Sequence, residues 1–210
     1  MSAINVFEQN PGASAKAESP LHHADLASLV GKGRNNAGVT LRERKFLGHL
    51  TLRGNGHDPA FAGGVHKALG LELPVALTVV ANGDLSLQWV GPDEWLLIVP
   101  GGQEVAIEQK LRAALEGQHI QVVNVSGGQS LLDLRGPNVR DVLMKSTSYD
   151  VHPNNFPVGK AVGTVFAKSQ LVIRRTAEDT WELVIRRSFS DYWWMWLQDA
   201  SAEYGLAIEA

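Results

Sequence analysis

The sequence predicts an α+β fold made of two similar halves. Short segments of alternating or continuous apolar residues are separated by amphipathic helical segments, which is typical of strands and helices that share a core. The same order of segments then occurs twice along the 210 residues. Helices that lie on one face of a mainly antiparallel sheet give each half a ferredoxin-like strand-helix-strand-strand-helix arrangement.

In the first half, each predicted element has its own local signal. Apolar residues alternate with polar ones in the first two strands, and Asp58-Pro59 and Gly70 are typical first and last residues of a helix. Asn82-Gly83 is a strong hairpin signal between two further strands. The predicted strands are 39–46, 50–53, 77–81, 85–90, 95–99 and 120–125, and the predicted helices are 58–69 and 104–115.

The second half repeats this order. Pro137 is a typical first-turn residue of a helix, and Ser188 and Gly205 are typical residues at the two ends of another. Residues 146–168 are rich in Pro, Asn and Gly, and we predict that they are irregular. The predicted strands are 130–135, 171–175 and 181–185, and the predicted helices run from 137 to about 145 and from 188 to about 204.

Matching motifs relate the two halves directly. Leu52-Arg53-Gly54 recurs as Leu134-Arg135-Gly136, 82 residues later, and residues 85–99 match residues 171–185 at a shift of 86. The second shift places Trp95 on Trp181. We therefore predict half-repeats at about 39–125 and 126–208, within one domain spanning 20–208. Residues 1–19 are predicted to be a flexible arm.

Composition excludes several classes of function. The formal net charge is −3, so the chain lacks the positive field of a general nucleic-acid binder. The absence of cysteine rules out disulfides, thiolate catalysis, Cys-ligated zinc and iron–sulfur clusters. No apolar stretch approaches the length of a membrane span, and the N-terminus does not resemble a secretory signal. These features predict a cytoplasmic protein that binds neither nucleic acid nor membrane.

No motif supplies catalytic, cofactor-binding or metal-ligating residues. Gly54-Asn-Gly56 begins like a dinucleotide fingerprint, but Pro59 stands where the third glycine is required. Gly159-Lys160 lacks the first glycine and the Ser/Thr of a phosphate-binding loop. Of the seven histidines, His22 and His23 are adjacent and the other five are dispersed, without the spacing of a helical metal pair. We therefore expect a binding or structural role, with no catalytic, cofactor or metal residue on this chain.

The last predicted helix contains an unusual group of aromatic residues. Phe189, Trp193, Trp196 and Leu197 form its predicted core stripe, whereas Trp194 and Met195 fall outside that stripe. An outward tryptophan beside a methionine indicates a subunit interface, because tryptophan is enriched in interface hot spots. The alternative is that the N-terminal arm or the 146–168 segment covers them.

Two arginine pairs lie on adjacent predicted strands, Arg174-Arg175 and Arg186-Arg187. They could bind an acidic partner, and we count all four residues as possible subunit contacts. The alternative is a solvated sheet face or edge, since charged side chains commonly protect exposed strands from pairing with other chains.

Several tracts resemble the gamma subunit of heterotetrameric sarcosine oxidase. They are 69–74, Asn82-Gly83 and 89–97, of which Val90-Gly-Pro-Asp-Glu-Trp95 is the most specific. In the second half, 132–137, Phe156-Pro-Val-Gly159 and the hairpin that contains Trp181 are similar to the same family. The resemblance covers about residues 20–208. It implies the fold of the folate-binding domain of glycine-cleavage aminomethyltransferases, which is built from a duplicated α+β unit.

The resemblance also implies a role in a flavoenzyme complex. The heterotetramer oxidatively demethylates sarcosine to glycine and reduces oxygen to hydrogen peroxide. The methyl carbon leaves as formaldehyde or as 5,10-methylenetetrahydrofolate. In this family FAD, FMN and NAD are bound by the alpha and beta subunits and zinc by the delta subunit, whereas gamma carries no cofactor and packs chiefly against alpha. The alternative is a stand-alone folate-binding carrier or an aminomethyltransferase-like protein.

Overall fold

The computed structural model describes residues 16–34 and 36–209. Most of the predicted N-terminal arm therefore lies outside the described residues. Two short 3₁₀ turns, His22–Ala24 and Arg187–Phe189, accompany the regular elements. In chain order these elements are α1 (Leu26–Leu29), β1 (Val39–Arg44), β2 (Gly48–Arg53), α2 (Pro59–Leu69), β3 (Val79–Asn82), β4 (Leu85–Gly91), β5 (Glu94–Val99), α3 (Glu104–Ala114), β6 (Gln121–Asn124), β7 (Gln129–Arg135), α4 (Val139–Ser146), β8 (Ala161–Phe166), β9 (Ser169–Ala177), β10 (Thr180–Arg186), α5 (Ser190–Ser201) and β11 (Leu206–Glu209).

Within the described residues, the strands form two sheets. One has six strands in the order β11-β1-β7-β10-β9-β8, and the other has five in the order β3-β4-β5-β2-β6. From β2 to β6 and again from β7 to β11, the chain runs strand, helix, three strands, helix, strand. The predicted duplicated α+β fold is confirmed, and each half contains more strands than the minimal ferredoxin-like unit.

Strand β1 lies within the predicted first half-repeat but belongs to the sheet of the second. It pairs antiparallel with β7, for example Thr40 with Arg135, and parallel with β11, for example Val39 with Leu206. Its alternating residues show that one face is buried. That pattern does not specify the neighbouring strands, because strand pairing is made by backbone groups that every residue type carries.

Apolar side chains divide into three clusters that define four layers. One cluster packs α1, α4 and α5 against the six-stranded sheet, and another packs α2 and α3 against the five-stranded sheet. The third cluster lies between the sheets and contains Leu96, Ile98, Leu131 and Val184. The two sheets therefore face each other, with their helices on the outside.

At both glycines of the recurring Leu-Arg-Gly motif, a side chain would collide with a neighbouring group. A Cβ on Gly54 would lie 2.3 Å from the Phe61 ring, and a Cβ on Gly136 would lie 2.4 Å from the Gly38 carbonyl oxygen. Gly136 also has a φ of +121°, a region that L-residues rarely adopt. Both glycines follow the strand that begins their half, but only Gly136 has a positive φ, so the motif marks equivalent positions with different backbone conformations.

Several predicted boundaries were wrong. The segment 146–168, predicted to be irregular, contains β8, and β11 was not predicted. Both strands are adjacent to turn-forming glycines, at Gly159 and Gly205, which weaken the local signal. The last helix ends at Ser201, earlier than predicted, and Ser188 lies in the preceding 3₁₀ turn. Phe189, predicted to be in the core, is 42% exposed because it precedes the helix.

Ser19 was predicted to end the flexible arm, but it is buried in the domain. Its hydroxyl donates to Glu43 Oε2 at 2.7 Å, and the Leu21 amide donates to Glu43 Oε1 at 3.1 Å. Glu43 on β1 also accepts from the Ser130 hydroxyl. This carboxylate therefore fastens residues 19–21 to the six-stranded sheet. No helix in the described part of the chain has the length and apolar character needed to cross a membrane.

Candidate functional site: the polar layer between the sheets

An ion pair occupies the centre of the layer between the two sheets. Arg174 on β9 and Glu182 on β10 are cross-strand neighbours, and both are buried. The Arg174 Nε donates to Glu182 Oε2 at 2.8 Å, and its Nη2 donates to the same oxygen. Alternation along the strands places both side chains on the face opposite the helices, where the other sheet covers them.

Arg174 also joins the two sheets. Its Nη1 donates to Ser86 Oγ at 3.0 Å and to Gln88 Oε1 at 3.2 Å, and both acceptors lie on β4 of the five-stranded sheet. Burial lowers the pKa of Arg174, and the adjacent Glu182 carboxylate opposes that shift. A buried guanidinium is tolerated only when its donors have partners, and here three of its nitrogens do.

The internal repeat matches the Arg174–Glu182 ion pair with two uncharged residues in the first half. The shift of 86 residues that matches Trp95 with Trp181 also matches Gln88 with Arg174 and Leu96 with Glu182. The same two positions therefore carry Gln and Leu in one half and Arg and Glu in the other. Because Gln88 bonds to Arg174 directly, equivalent positions of the two halves meet across the layer.

A row of charges extends from the ion pair across the six-stranded sheet. Asp133 on β7 lies opposite Glu182 on one side and Arg42 on the other. Asp133 is 3% exposed, and its Oδ1 has no hydrogen-bond partner among the described residues. Burial, followed by the negative charge of Glu182, raises the pKa of the Asp133 carboxyl, and nearby arginines oppose that shift.

We expect Asp133→Asn to match or exceed the wild-type melting temperature at pH 7. A raised carboxyl pKa means that folding disfavours the charged form, so removing the charge removes that cost above the folded pKa. The advantage should disappear as the pH falls below the pKa of the unfolded carboxyl. Thermal unfolding from pH 7 to about pH 3 measures it, with the exposed Asp199→Asn as a control for net charge. A large loss of stability at pH 7 would contradict the expectation.

His49 on β2 is a second buried titratable group in this layer. It is 1% exposed, and its Nδ1 lies 3.1 Å from the Leu47 carbonyl oxygen. A carbonyl can only accept, so Nδ1 carries the proton, and Nε2 has no partner among the described residues. Burial lowers the pKa of His49 to about 4, with a smaller contribution from the charge of Arg174 and opposition from the Leu47 bond. His49 is therefore neutral at neutral pH.

A cavity of about 150 Å³ lies beside the ion pair. Its polar walls include Arg44, Ser86 and Glu182, and its other walls are largely aliphatic. The Arg44 Nη2 donates to Asp84 at 2.8 Å, so this guanidinium also has a carboxylate partner. In the part of the chain that the structure describes, no three His, Cys, Asp or Glu side chains are grouped so that they could hold a metal ion. The arrangement binds the two halves to each other.

The structure places the predicted interface residues in different environments. Arg174 and Arg175 are 2% and 6% exposed, contrary to the predicted partner-facing role. Arg175 donates to the carbonyls of Phe156 and Glu178 and lies over the Trp181 ring. The prediction failed because strand alternation cannot tell a solvated face from one that another layer covers. Arg186 and Arg187 are exposed.

Helix α5 differs from its prediction in a similar way. Trp193 and Leu197 are buried as predicted, but Trp194 is half-buried in a groove that it shares with Leu29 at the end of α1 and with Leu206 and Ile208 of β11. These neighbours of Trp194 belong to neither the N-terminal arm nor the 146–168 segment, and residues 1–15 of the arm lie outside the described residues. Met195 is 69% exposed. Its helical neighbours Asp191, Gln198 and Asp199 are exposed and polar, and Tyr192, one turn before it, is half-buried.

Sequence reasoning missed the polar residues of the inter-sheet layer, namely His49, Ser86, Gln88, Asp133 and Glu182. Glu182 and Asp133 interrupt otherwise apolar strands, which was an available signal of a buried partner. The repeat alignment held a second signal, since it matches Gln88 with Arg174 and so points to a contact between the halves.

Comparison with solved structures defines the class of fold. Glycine cleavage system aminomethyltransferase T from Bartonella henselae matches 90% of this chain and 58% of its own, with a TM-score of 0.64 and 15% identity. At that identity the likeness shows the fold alone. The protein is thus an α+β protein with the duplicated aminomethyltransferase fold.

Closer similarities identify the family. The sequence model of the "Sarcosine oxidase, gamma subunit family" matches residues 53–203. The sarcosine oxidase subunit gamma of Corynebacterium sp. (strain P-1) is 37% identical over 89% of this chain and 90% of its own, and that of an Arthrobacter species is 36% identical over the same shares. A chain of the heterotetrameric sarcosine oxidase from Corynebacterium sp. U-96, in complex with pyrrole 2-carboxylate, superposes with a TM-score of 0.80 and 32% identity over 90% of this chain and 96% of its own. The chain belongs to the sarcosine oxidase gamma subunit family, which confirms the resemblance.

Proposed function

We propose that this chain is the non-catalytic gamma subunit of a cytoplasmic heterotetrameric sarcosine oxidase, in which it packs chiefly against the alpha subunit and also joins beta and delta. The observation that carries the proposal is similarity to gamma subunits over nine-tenths of both chains. The inter-sheet layer supports it, because its central charged groups are occupied by contacts within this chain: Arg174 pairs with Glu182 and bonds to Ser86 of the other half.

The proposed complex converts sarcosine, oxygen and water to glycine, formaldehyde and hydrogen peroxide, or transfers the one-carbon unit to tetrahydrofolate as the 5,10-methylene form. We place FAD, FMN and NAD on alpha and beta, zinc on delta, and no cofactor on this chain. Met195, Arg186 and Arg187 are exposed and remain candidate contacts with the partners.

Purification of a tagged copy of this chain from its own organism tests the proposal. We expect a yellow complex of four different subunits, with flavin absorption bands and peroxide release that depends on sarcosine. A colourless chain recovered alone would contradict the proposal. Calorimetry of that lone chain with tetrahydrofolate would then test the alternative of a stand-alone folate carrier, for which binding in the micromolar range is the expected result.

A further inference from the structure

The two sheets diverge on the side away from the ion pair and leave a groove of about 540 Å³. Leu96 of one sheet and Val172 and Val184 of the other form its aliphatic floor. Val90 and Val165 line opposite walls and are 43% and 44% exposed. An open groove with an apolar floor and exposed valines on both walls is the kind of surface that proteins use for association.

The edge strand β8 borders this groove with free backbone groups. On its outer edge the Ala161 amide donates to the Leu77 carbonyl at 2.9 Å, next to a single bridge between Thr78 and Lys160. Alternation in an antiparallel strand directs the amides and carbonyls of Gly163 and Val165 to that same edge. Past Ala161, no strand of the described residues pairs with the outer edge of β8.

The groove is open above the face of β8, and polar groups line it. A Cβ on Gly163 would meet nothing within 4 Å, so the space above that residue is open. Gln129, at the first position of β7, has a buried Oε1 without a hydrogen-bond partner among the described residues. Glu94 and Arg186 line the groove from different sheets and give it opposite charges. The groove therefore offers backbone pairing, an aliphatic floor, an unused acceptor and charges of both signs.

We propose that an extended segment of a partner subunit adds to the β8 edge at Gly163–Val165 and places an aliphatic side chain on the floor of the groove. Strand addition of this kind takes affinity from main-chain bonds and specificity from alternate side chains. The segment would carry an acidic residue for Arg186, which has no ion-pair partner among the described residues, whereas Glu94 already lies 3.8 Å from the Arg53 guanidinium. The inference rests on the proposed function, because it requires that the chain assembles with other subunits.

Val165→Glu tests the proposal in the complete complex, with Val75→Glu as the matched control. Val75 is 73% exposed and does not line the groove, so both variants place a charge at an exposed valine. We expect Val165→Glu to weaken assembly by at least about tenfold, because the charge would be buried under the added segment. Val75→Glu should assemble like the wild type. Unchanged melting temperatures of the isolated variants would show that both fold.

Amide hydrogen exchange gives a second readout without a substitution. The Gly163 and Val165 amides should exchange at least tenfold more slowly in the complex than in the isolated chain, because pairing protects them. If the wild-type chain assembles, Val165→Glu assembles equally well and the two amides are not protected, this inference is overturned and the proposed function is not. If the wild-type chain formed no complex, the proposed function itself would fail.

Discussion

Glu182→Leu is expected to destabilise the isolated chain by about 3–5 kcal/mol, the cost found when one partner of a buried ion pair is removed. The substitution leaves the Arg174 guanidinium between the sheets without a carboxylate, although Ser86 and Gln88 still accept from it. Burial already lowers the pKa of Arg174, so an unpaired charge there is costly. Urea unfolding followed by circular dichroism measures the loss.

The double variant Arg174→Gln/Glu182→Leu should recover most of that stability. It introduces the residue types that the first half carries at the equivalent positions, Gln88 and Leu96. Replacing both members of a buried ion pair with uncharged residues often changes stability little. We expect it to lie within about 1–2 kcal/mol of the wild type.

Glu209→Gln is the matched control for the loss of one carboxylate. Its ion pair with Arg135 is nearly half-exposed, and exposed pairs contribute less than about 1 kcal/mol. A double variant as unstable as Glu182→Leu would show that the unpaired Arg174 charge is not what destabilises the single variant. Wild-type stability of the single variant would show that the pair contributes nothing.

The second large effect is a loss of stability on acidification. Between pH 7 and pH 4, the titration of His49 should lower the free energy of unfolding by about 3 kcal/mol. Its pKa is lowered from 6.5 to about 4 in the folded chain. As the pH falls through 6.5, the unfolded chain therefore gains a proton that the folded chain does not bind. The stability from neutral His49 is complete above the unfolded pKa and is lost as the pH falls towards the folded one.

His49→Gln should have a flatter stability profile than the wild type over this range, because glutamine does not titrate. His57→Gln, at an exposed position, should retain the wild-type slope because it leaves His49 in place. The free energy of unfolding, measured by urea titration at several pH values, gives the difference between each variant and the wild type. Parallel profiles for His49→Gln and the wild type would contradict the lowered pKa.

These effects bear on how the duplicated halves are joined. The apolar contact between the sheets is small, since four buried side chains form its core. A polar network beside it links β9 and β10 to β4 through one guanidinium. Buried polar groups are costly unless they are satisfied, so such a network favours the one register in which every partner is present. The position of the β8 edge and of the groove depends on that register.

The sequence by itself determined the α+β class, the internal duplication and most of the strands and helices. These depend on local signals, such as the alternation in β1, the Asn82-Gly83 turn and the recurrence of Trp95 as Trp181. Each signal depends on the types of a few neighbouring residues. The family could also be recognised, because tracts such as 90–95 are specific in sequence.

Only the tertiary structure decided which sheet contains β1 and which charged side chains are buried. Alternation assigns Arg174 and Glu182 to one face of their sheet, but it cannot show that a second sheet covers that face. The same limit led to the prediction that Arg174 and Arg175 contact a partner. Burial and pairing are set by contacts between residues far apart in the chain, such as Arg174 with Ser86. The physical reason is that strand periodicity shows which residues share one face of a sheet, but it does not show what packs against that face.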